Sequence, residues 1–173
     1  MKKWPVFILF TLFSLIIRPV FALNQEMAVN AKVDIPTILE LNIEQSGQSE
    51  LRFGNLRPSA VQTTEAGPVT IIINVKSNVG ESYQVTQAIS NELENAEGIK
   101  IGSENLKFTT ASVKTKGTVI SQTKSVSKAA QTIFVSDAAG SSDTIKAEYT
   151  LSVPASQAPG DYSALLTYTV STL

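Results

Sequence analysis

The strongest constraint on this chain is an alternation of apolar and polar side chains with a period of two residues. It is clearest over residues 144–153, where Ile145 and Tyr149 belong to an apolar series and Lys146 and Glu148 to the intervening polar series. Successive side chains of a strand point to opposite faces, so the alternation predicts strands with one face on a core and one in water. Further strands are predicted over residues 27–35, 39–43, 69–76, 82–89 and 161–171, with shorter ones over 51–54, 106–110, 118–121 and 131–136.

The composition agrees with an all-β chain. Val, Ile and Thr, which favour strands, supply 41 of the 151 residues that follow residue 22. Turn-forming residues separate the runs, as at 77–80 and 154–160. Together these features predict an Ig-like antiparallel β-sandwich of about seven to nine strands. Only residues 90–96 and 125–131 have the composition of a short helical turn.

The first 22 residues predict a secretory signal peptide. Lys2 and Lys3 precede a mostly apolar run over residues 4–17, and Val20 and Ala22 place small side chains before a cleavage site. A membrane span needs about 20 apolar residues, and this run is shorter. We therefore expect an exported protein without stable membrane insertion.

The predicted mature chain, residues 23–173, has the length of one domain. It carries 11 basic and 15 acidic residues, a net charge of −4, and these charges are scattered singly. Nucleic acid and anionic membranes usually bind clustered basic residues. Neither is expected as a partner.

The chain contains no cysteine and no histidine. These absences exclude disulfide scaffolds, thiolate metal sites, thiol nucleophiles and the Ser–His–Asp triad. The remaining candidates for catalytic or metal-binding groups are carboxylates. They are Glu92, Glu94 and Glu97 near one turn, and Asp137 and Asp143 around another. Their polar surroundings are typical of solvated turns, so we expect no enzymatic activity, no metal and no cofactor. The four tyrosines lie on predicted inward faces, where packing is expected: Tyr83, Tyr149, Tyr162 and Tyr168.

The first and last predicted strands are the functional candidates. The first follows the predicted cleavage site closely, and the last reaches to within a few residues of Leu173. In donor-strand exchange, an extended segment of one subunit completes the sheet of the next. An ordinary closed sandwich, whose first strand pairs within its own domain, would show the same alternation. The pattern leaves both interpretations open.

Three short motifs carry a resemblance to a known family. Residues 31–38 (AKVDIPTI) are similar to an alternating start that leads into an Asp-Pro turn, with Ile35 inserted before the proline. Residues 51–54 (LRFG) and 160–163 (GDYS) are similar to motifs after the first strands and before the last strand. The chain thus resembles exported bacterial pilin-type subunits of the chaperone–usher pathway, especially the cysteine-free alternative class with colonisation-factor fimbrial major subunits. Spore-coat-U-like secreted domains are a more distant resemblance, since they usually carry cysteines.

The resemblance implies an Ig-like subunit that a periplasmic chaperone holds and an outer-membrane usher polymerises, with identical or related subunits, into a surface fimbria. It implies that residues 24–35 are the donor strand and that the last predicted strand pairs with the chaperone or the next subunit. The implied donor side chains are Met27, Val29, Ala31, Val33 and Ile35. The implied edge side chains are Tyr162, Ala164, Leu166, Tyr168 and Val170.

Two other functions are compatible with a sandwich. A monomeric Ig-like binding module, at the cell surface or in the periplasm, would recognise a carbohydrate or a protein through an exposed aromatic or polar cluster in its loops. The loops here consist mainly of Ser, Ala, Gly and Lys. A hydrolase is disfavoured because histidine and the usual catalytic motifs are missing.

Overall fold

The computed structural model describes residues 32–44, 51–57 and 59–173. The chain divides into two compact units, residues 1–34 and 35–173. Of the first unit only residues 32–34 are described, and they have no regular secondary structure. All described strands belong to the second unit.

The second unit is built from β-strands, and its described residues contain no α-helix. Seven of its eleven strands have five or more residues, and the other four have two. In chain order the strands are β1 (Leu39–Glu44), β2 (Thr64–Ser77), β3 (Tyr83–Ile89), β4 (Leu93–Glu94), β5 (Lys100–Ile101), β6 (Leu106–Ser112), β7 (Thr118–Val119), β8 (Lys124–Ser125), β9 (Gln131–Val135), β10 (Asp143–Val153) and β11 (Leu166–Thr172).

Two antiparallel sheets form a sandwich, which confirms the predicted all-β fold. The larger sheet has the strand order β1-β2-β10-β6-β8, and the smaller has the order β11-β3-β9-β7. Strands β4 and β5 form a separate hairpin. Every one of these strand pairs is antiparallel.

The two predicted helical turns do not form. Over residues 90–96 the chain makes β4, where Glu94 and Ser163 exchange backbone hydrogen bonds of 3.0 and 3.1 Å. Over residues 125–131 it makes the end of β8 and a turn, and Val126 N–H donates to Leu106 O at 2.9 Å. Long-range backbone pairing overrides local propensity in both segments. Residues 51–54, predicted as a short strand, have no regular structure.

The core confirms the alternation predicted for β10. Ile145, Ala147 and Tyr149 are fully buried, and Leu151 and Val153 are nearly so. The Tyr149 ring stacks on that of Phe108, with 6.1 Å between the ring centroids. Burying one large apolar side chain contributes roughly 1.5–3 kcal/mol. The inward face of β10 is therefore a main source of stability.

Asn78 fixes the start of β1 beside the end of β2. Its side-chain oxygen accepts a hydrogen bond from Ile38 N–H at 2.5 Å, and its side-chain amide donates to Pro36 O at 2.9 Å. Its own backbone N–H donates to Ile38 O at 3.0 Å. Residues 36–38 are thereby anchored at this end of the larger sheet.

We expect Tyr149→Ala to lower the free energy of unfolding by about 3–5 kcal/mol, because it removes a large buried side chain. Glu148→Ala, on the exposed face, should cost less than about 1 kcal/mol, since an exposed ion pair such as that with Lys146 contributes little. Urea denaturation of both variants measures the difference. Equal losses would contradict the register of β10.

Candidate functional site

The outer edge of β11 is the candidate site. In an Ig constant-type sandwich, strands A, B, E and D form one sheet and strands C, F and G form the other. By chain order and pairing, β1, β2, β10 and β6 occupy the positions A, B, E and D, while β3 and β11 occupy C and F. Among the residues described, none forms a strand on the far side of β11, where strand G would lie.

The backbone of β11 shows which groups this edge presents. Ser90 N–H donates to Leu165 O, and Leu173 N–H donates to Ser82 O, both at 2.9 Å. In an antiparallel ladder one residue directs both backbone groups to the same neighbour, and the direction alternates along the strand. The odd-numbered residues therefore face β3. The even-numbered residues from Leu166 to Thr172 direct their N–H and C=O groups to the outer edge.

The side chains along this edge are less well covered than their partners on β3. Leu166 and Val170 are half-buried, although they face the core. Their cross-strand partners Ile89 and Val85 are 1% and 0% exposed. Cover is therefore incomplete along the outer side of β11.

Strand β1 contributes a second group of apolar side chains next to β11. It is one of the two edge strands of the larger sheet, and it contacts β11. Leu39 and Leu41 are half-buried against the core. We refer to Leu166, Tyr168 and Val170, together with Leu39 and Leu41, as the β11 edge.

A buried polar network lies behind the β11 edge. The Tyr149 hydroxyl donates to Gln87 Oε1 at 2.5 Å and lies 2.5 Å from the Tyr168 hydroxyl. Since Tyr149 has a single hydroxyl proton, Tyr168 donates to Tyr149. Burial raises the pKa of Tyr168 to about 12 and also raises that of Tyr149. This chain of hydrogen bonds ties β11 to β10 across the sandwich.

Gln87 was not singled out by the sequence analysis. It is 1% exposed, and its Nε2 has no hydrogen-bond partner in the part of the chain that the structure describes. Its signal in the sequence is a polar residue at an inward position, between Val85 and Ile89. The pattern could have marked the position, but not the two tyrosines that meet there.

The last strand begins later than the sequence predicts, at Leu166 and not at residue 161. Tyr162 and Ala164 precede β11, and both are half-buried. The Tyr162 hydroxyl donates to Ala158 O at 2.9 Å and accepts from Gln157 Nε2 at 2.8 Å. Tyr162 thus holds the preceding loop, and the strand begins only at Leu166.

The predicted donor side chains are only partly described. Met27, Val29 and Ala31 lie outside the described residues. Val33 and Ile35 are 79% and 72% exposed. Residues 32–35 form no strand, so the strand predicted over 27–35 does not include them in this chain.

The two aspartates that flank residues 138–142 hold separate loops. Both carboxylate oxygens of Asp137 accept hydrogen bonds from Ser141, at 2.8 Å from its backbone N–H and 2.7 Å from its hydroxyl. These bonds hold the pKa of Asp137 below its usual value. Asp143 is buried and accepts from Ser112 Oγ at 2.9 Å and from the backbone N–H groups of Lys114 and Lys116 at 3.2 and 3.1 Å. Each carboxylate has the role of a turn anchor.

The other carboxylates do not form a catalytic pair. Lys100 Nζ lies 3.6 Å from Glu94 and 4.0 Å from Glu92, and all three side chains are partly exposed at the hairpin of β4 and β5. A polar depression of about 410 Å³ beside β1 includes Glu44 and Asp143, and Asp143 is already saturated with hydrogen bonds. Within the described ranges there is no group of three or more acidic residues that could hold a metal ion. Nor does that part of the chain contain a helix able to cross a membrane.

Comparison with known proteins finds weak structural likenesses only among solved structures. No protein-family model matches the chain, and no curated protein matches it. A solved structure of a family 123 glycoside hydrolase from Clostridium perfringens, described in a study of glycolipid glycan hydrolysis, is similar with a TM-score of 0.41 and 16% identity. The match covers 78% of this chain and 25% of that one. A likeness at this level carries no argument about function.

We expect alkaline pH to weaken the fold through the tyrosine network. The folded-state pKa of Tyr168, about 12, lies above the unfolded value of 10.0. The stability that depends on its proton is therefore complete below about pH 10 and is lost as the pH rises towards 12. In Tyr168→Phe the free energy of unfolding should fall less steeply over this range, whereas Thr169→Ala should follow the wild type. Urea titrations between pH 9 and pH 12 measure the slopes, and identical slopes in Tyr168→Phe and wild type would be the contrary result.

Proposed function

We propose that this chain is an exported structural subunit of a surface fibre, and that residues 24–35 of one copy complete the β11 edge of another. The chain is then non-enzymatic and needs no cofactor. The observation that carries the proposal is the combination, along β11, of backbone groups that no described strand pairs with and of half-buried apolar side chains. A strand inserted there would form hydrogen bonds with these backbone groups and bury these side chains at the same time.

The outer edge of β11, which has no partner strand among the described residues, is of the kind that binds another strand. Natural proteins usually protect long edges with charges, prolines, bulges or very short strands. Strand β11 has seven residues, LTYTVST, which include no charge and no proline. An edge like this is a template for pairing, so it favours an assembly function over an isolated domain.

The N-terminal segment has the features that an inserted strand requires. Its apolar residues alternate from Met27 to Ile35, and these nine residues would extend over roughly 30 Å, enough to follow the seven residues of β11. Val33 and Ile35 are largely exposed in the single chain. Burying each of them in a neighbouring copy would contribute roughly 1.5–3 kcal/mol.

The same edge implies that the protein needs a binding partner during export. Before assembly, β11 would expose its backbone groups to any other strand, which favours aggregation. The resemblance to chaperone–usher subunits implies that a periplasmic chaperone covers the edge until an outer-membrane usher replaces it with the next subunit. The protein would then pass through the periplasm and function at the cell surface.

Deleting residues 24–35 from the mature chain tests strand donation. We expect the deletion variant to unfold at lower temperature, because the β11 edge of each copy then has no donor. A synthetic peptide of residues 24–35 should restore the thermal midpoint by occupying that edge. Peptides with Val29→Asp or Val33→Asp should fail, since they place a charge against the core.

The matched control is the peptide with Lys32→Ala, a substitution on the opposite face, which should restore the midpoint fully. The proposal fails if the full-length protein remains a monomer at all concentrations and amide exchange shows residues 24–35 protected within their own chain. The alternative function, a monomeric Ig-like binding module, would then be favoured.

A further inference from the structure

The order of large and small side chains along β11 indicates how a donated strand is aligned, an inference that rests on the proposed function. Ala164 lies on the same side of the chain as the larger Leu166, Tyr168 and Val170, and all four are half-buried. The apolar series of the donated segment has one small residue among larger ones. Its members are Met27, Val29, Ala31, Val33 and Ile35.

The backbone of β11 restricts the possible alignments. Its even-numbered residues carry both the backbone groups directed to the outer edge and the inward side chains. Directly opposite residues of paired strands place their side chains on the same face of the sheet. The odd-numbered donor residues therefore pair with the even-numbered residues of β11, and neighbouring alignments differ by two residues.

Tyr168 distinguishes between these alignments because its ring is held in place. Its hydroxyl lies 2.5 Å from that of Tyr149, which in turn donates to Gln87 Oε1. A large side chain opposite Tyr168 would strain the packing or break this buried network. Ala31, the smallest residue of the donor series, leaves the network intact.

We propose that Ala31 of one copy lies opposite Tyr168 of the next, with the two strands antiparallel, and that this size match sets the alignment of the fibre. The same alignment brings Ile35 opposite Ala164, so that a large donor residue meets the smallest residue beside the edge. A shift of two residues in either direction would place a valine opposite Tyr168. The antiparallel direction is that of every described strand pair in the sandwich.

Introduced cysteines test this alignment without interference, because the chain has none of its own. In the double variant Asn30→Cys with Thr169→Cys, the thiols would face each other at a pair without hydrogen bonds. The Cα separation there is about 4.5 Å, which a disulfide spans. We expect a ladder of linked oligomers on non-reducing gels, and its collapse to monomer on reduction.

The matched control combines Asn30→Cys with Thr167→Cys. In the proposed alignment these positions are diagonal, about 7–8 Å apart, so linked oligomers should be scarce. Cross-linking of this control in place of the first pair would overturn the alignment but leave strand donation standing, because it requires a two-residue shift or a parallel strand. The absence of linked oligomers from both variants would overturn the alignment alone if the protein still assembles on gel filtration, because a two-residue shift in the other direction places Asn30 opposite Ser171. A disulfide within a single chain, or a protein that remains a monomer, would overturn the alignment and the proposed function together.

A size change at the same contact gives an independent test. Full-length Ala31→Leu should assemble about tenfold less than wild type or worse at equal concentration, since overpacking opposes insertion. Lys32→Leu introduces the same side chain on the opposite face and should assemble like wild type. Gel filtration measures the oligomeric fraction. Unchanged assembly of Ala31→Leu would overturn the alignment.

Discussion

The pairing of β10 with both β2 and β6 is the interaction on which the rest of the structure depends. It places an inward row of buried side chains in the middle of the larger sheet, where both edges of the strand are satisfied by backbone hydrogen bonds. At the start of β10, the buried Asp143 holds the loop that follows β6 through Ser112 and the backbone of Lys114 and Lys116. Every other strand is positioned by packing on this centre or by pairing outwards from it.

Strands β3 and β11 of the smaller sheet differ in backbone pairing and in the burial of their inward side chains. Strand β3 is paired on both edges and its inward side chains are fully buried. Among the residues that the structure describes, β11 is paired on one edge only, and its inward side chains are half-buried. The hydrogen bond between Tyr168 and Tyr149 holds β11 against the larger sheet despite this incomplete cover. In the proposed function, this hydrogen bond would hold Tyr168 in place before a donated strand binds, and less conformational entropy would then be lost on binding.

In the proposed function, the main chain forms most of the contacts between subunits. Recognition would depend on backbone N–H and C=O groups, which are the same for every residue, and side chains would contribute through their size and their alternation. Such a mechanism needs neither histidine nor cysteine, and it requires no chemistry of the carboxylates, of which Asp137 and Asp143 hold loops by hydrogen bonds. Size at individual positions, above all at Ala31 and Tyr168, is then what distinguishes one alignment from another.

The alternation in the sequence was sufficient to predict the all-β class and the inward faces of β2, β3 and β10, because a period of two residues assigns side chains to faces directly. It could not predict which strands are neighbours, since pairing joins residues far apart in the chain, as Glu94 and Ser163 show at a segment expected to be helical. Nor could it show that Gln87, Tyr149 and Tyr168 meet, because they come from three strands in two sheets. The sequence by itself therefore determined the inward faces of β2, β3 and β10; only the tertiary structure decided that, among the described residues, no strand pairs with the outer edge of β11, because an edge is defined by the partners that a strand has in space.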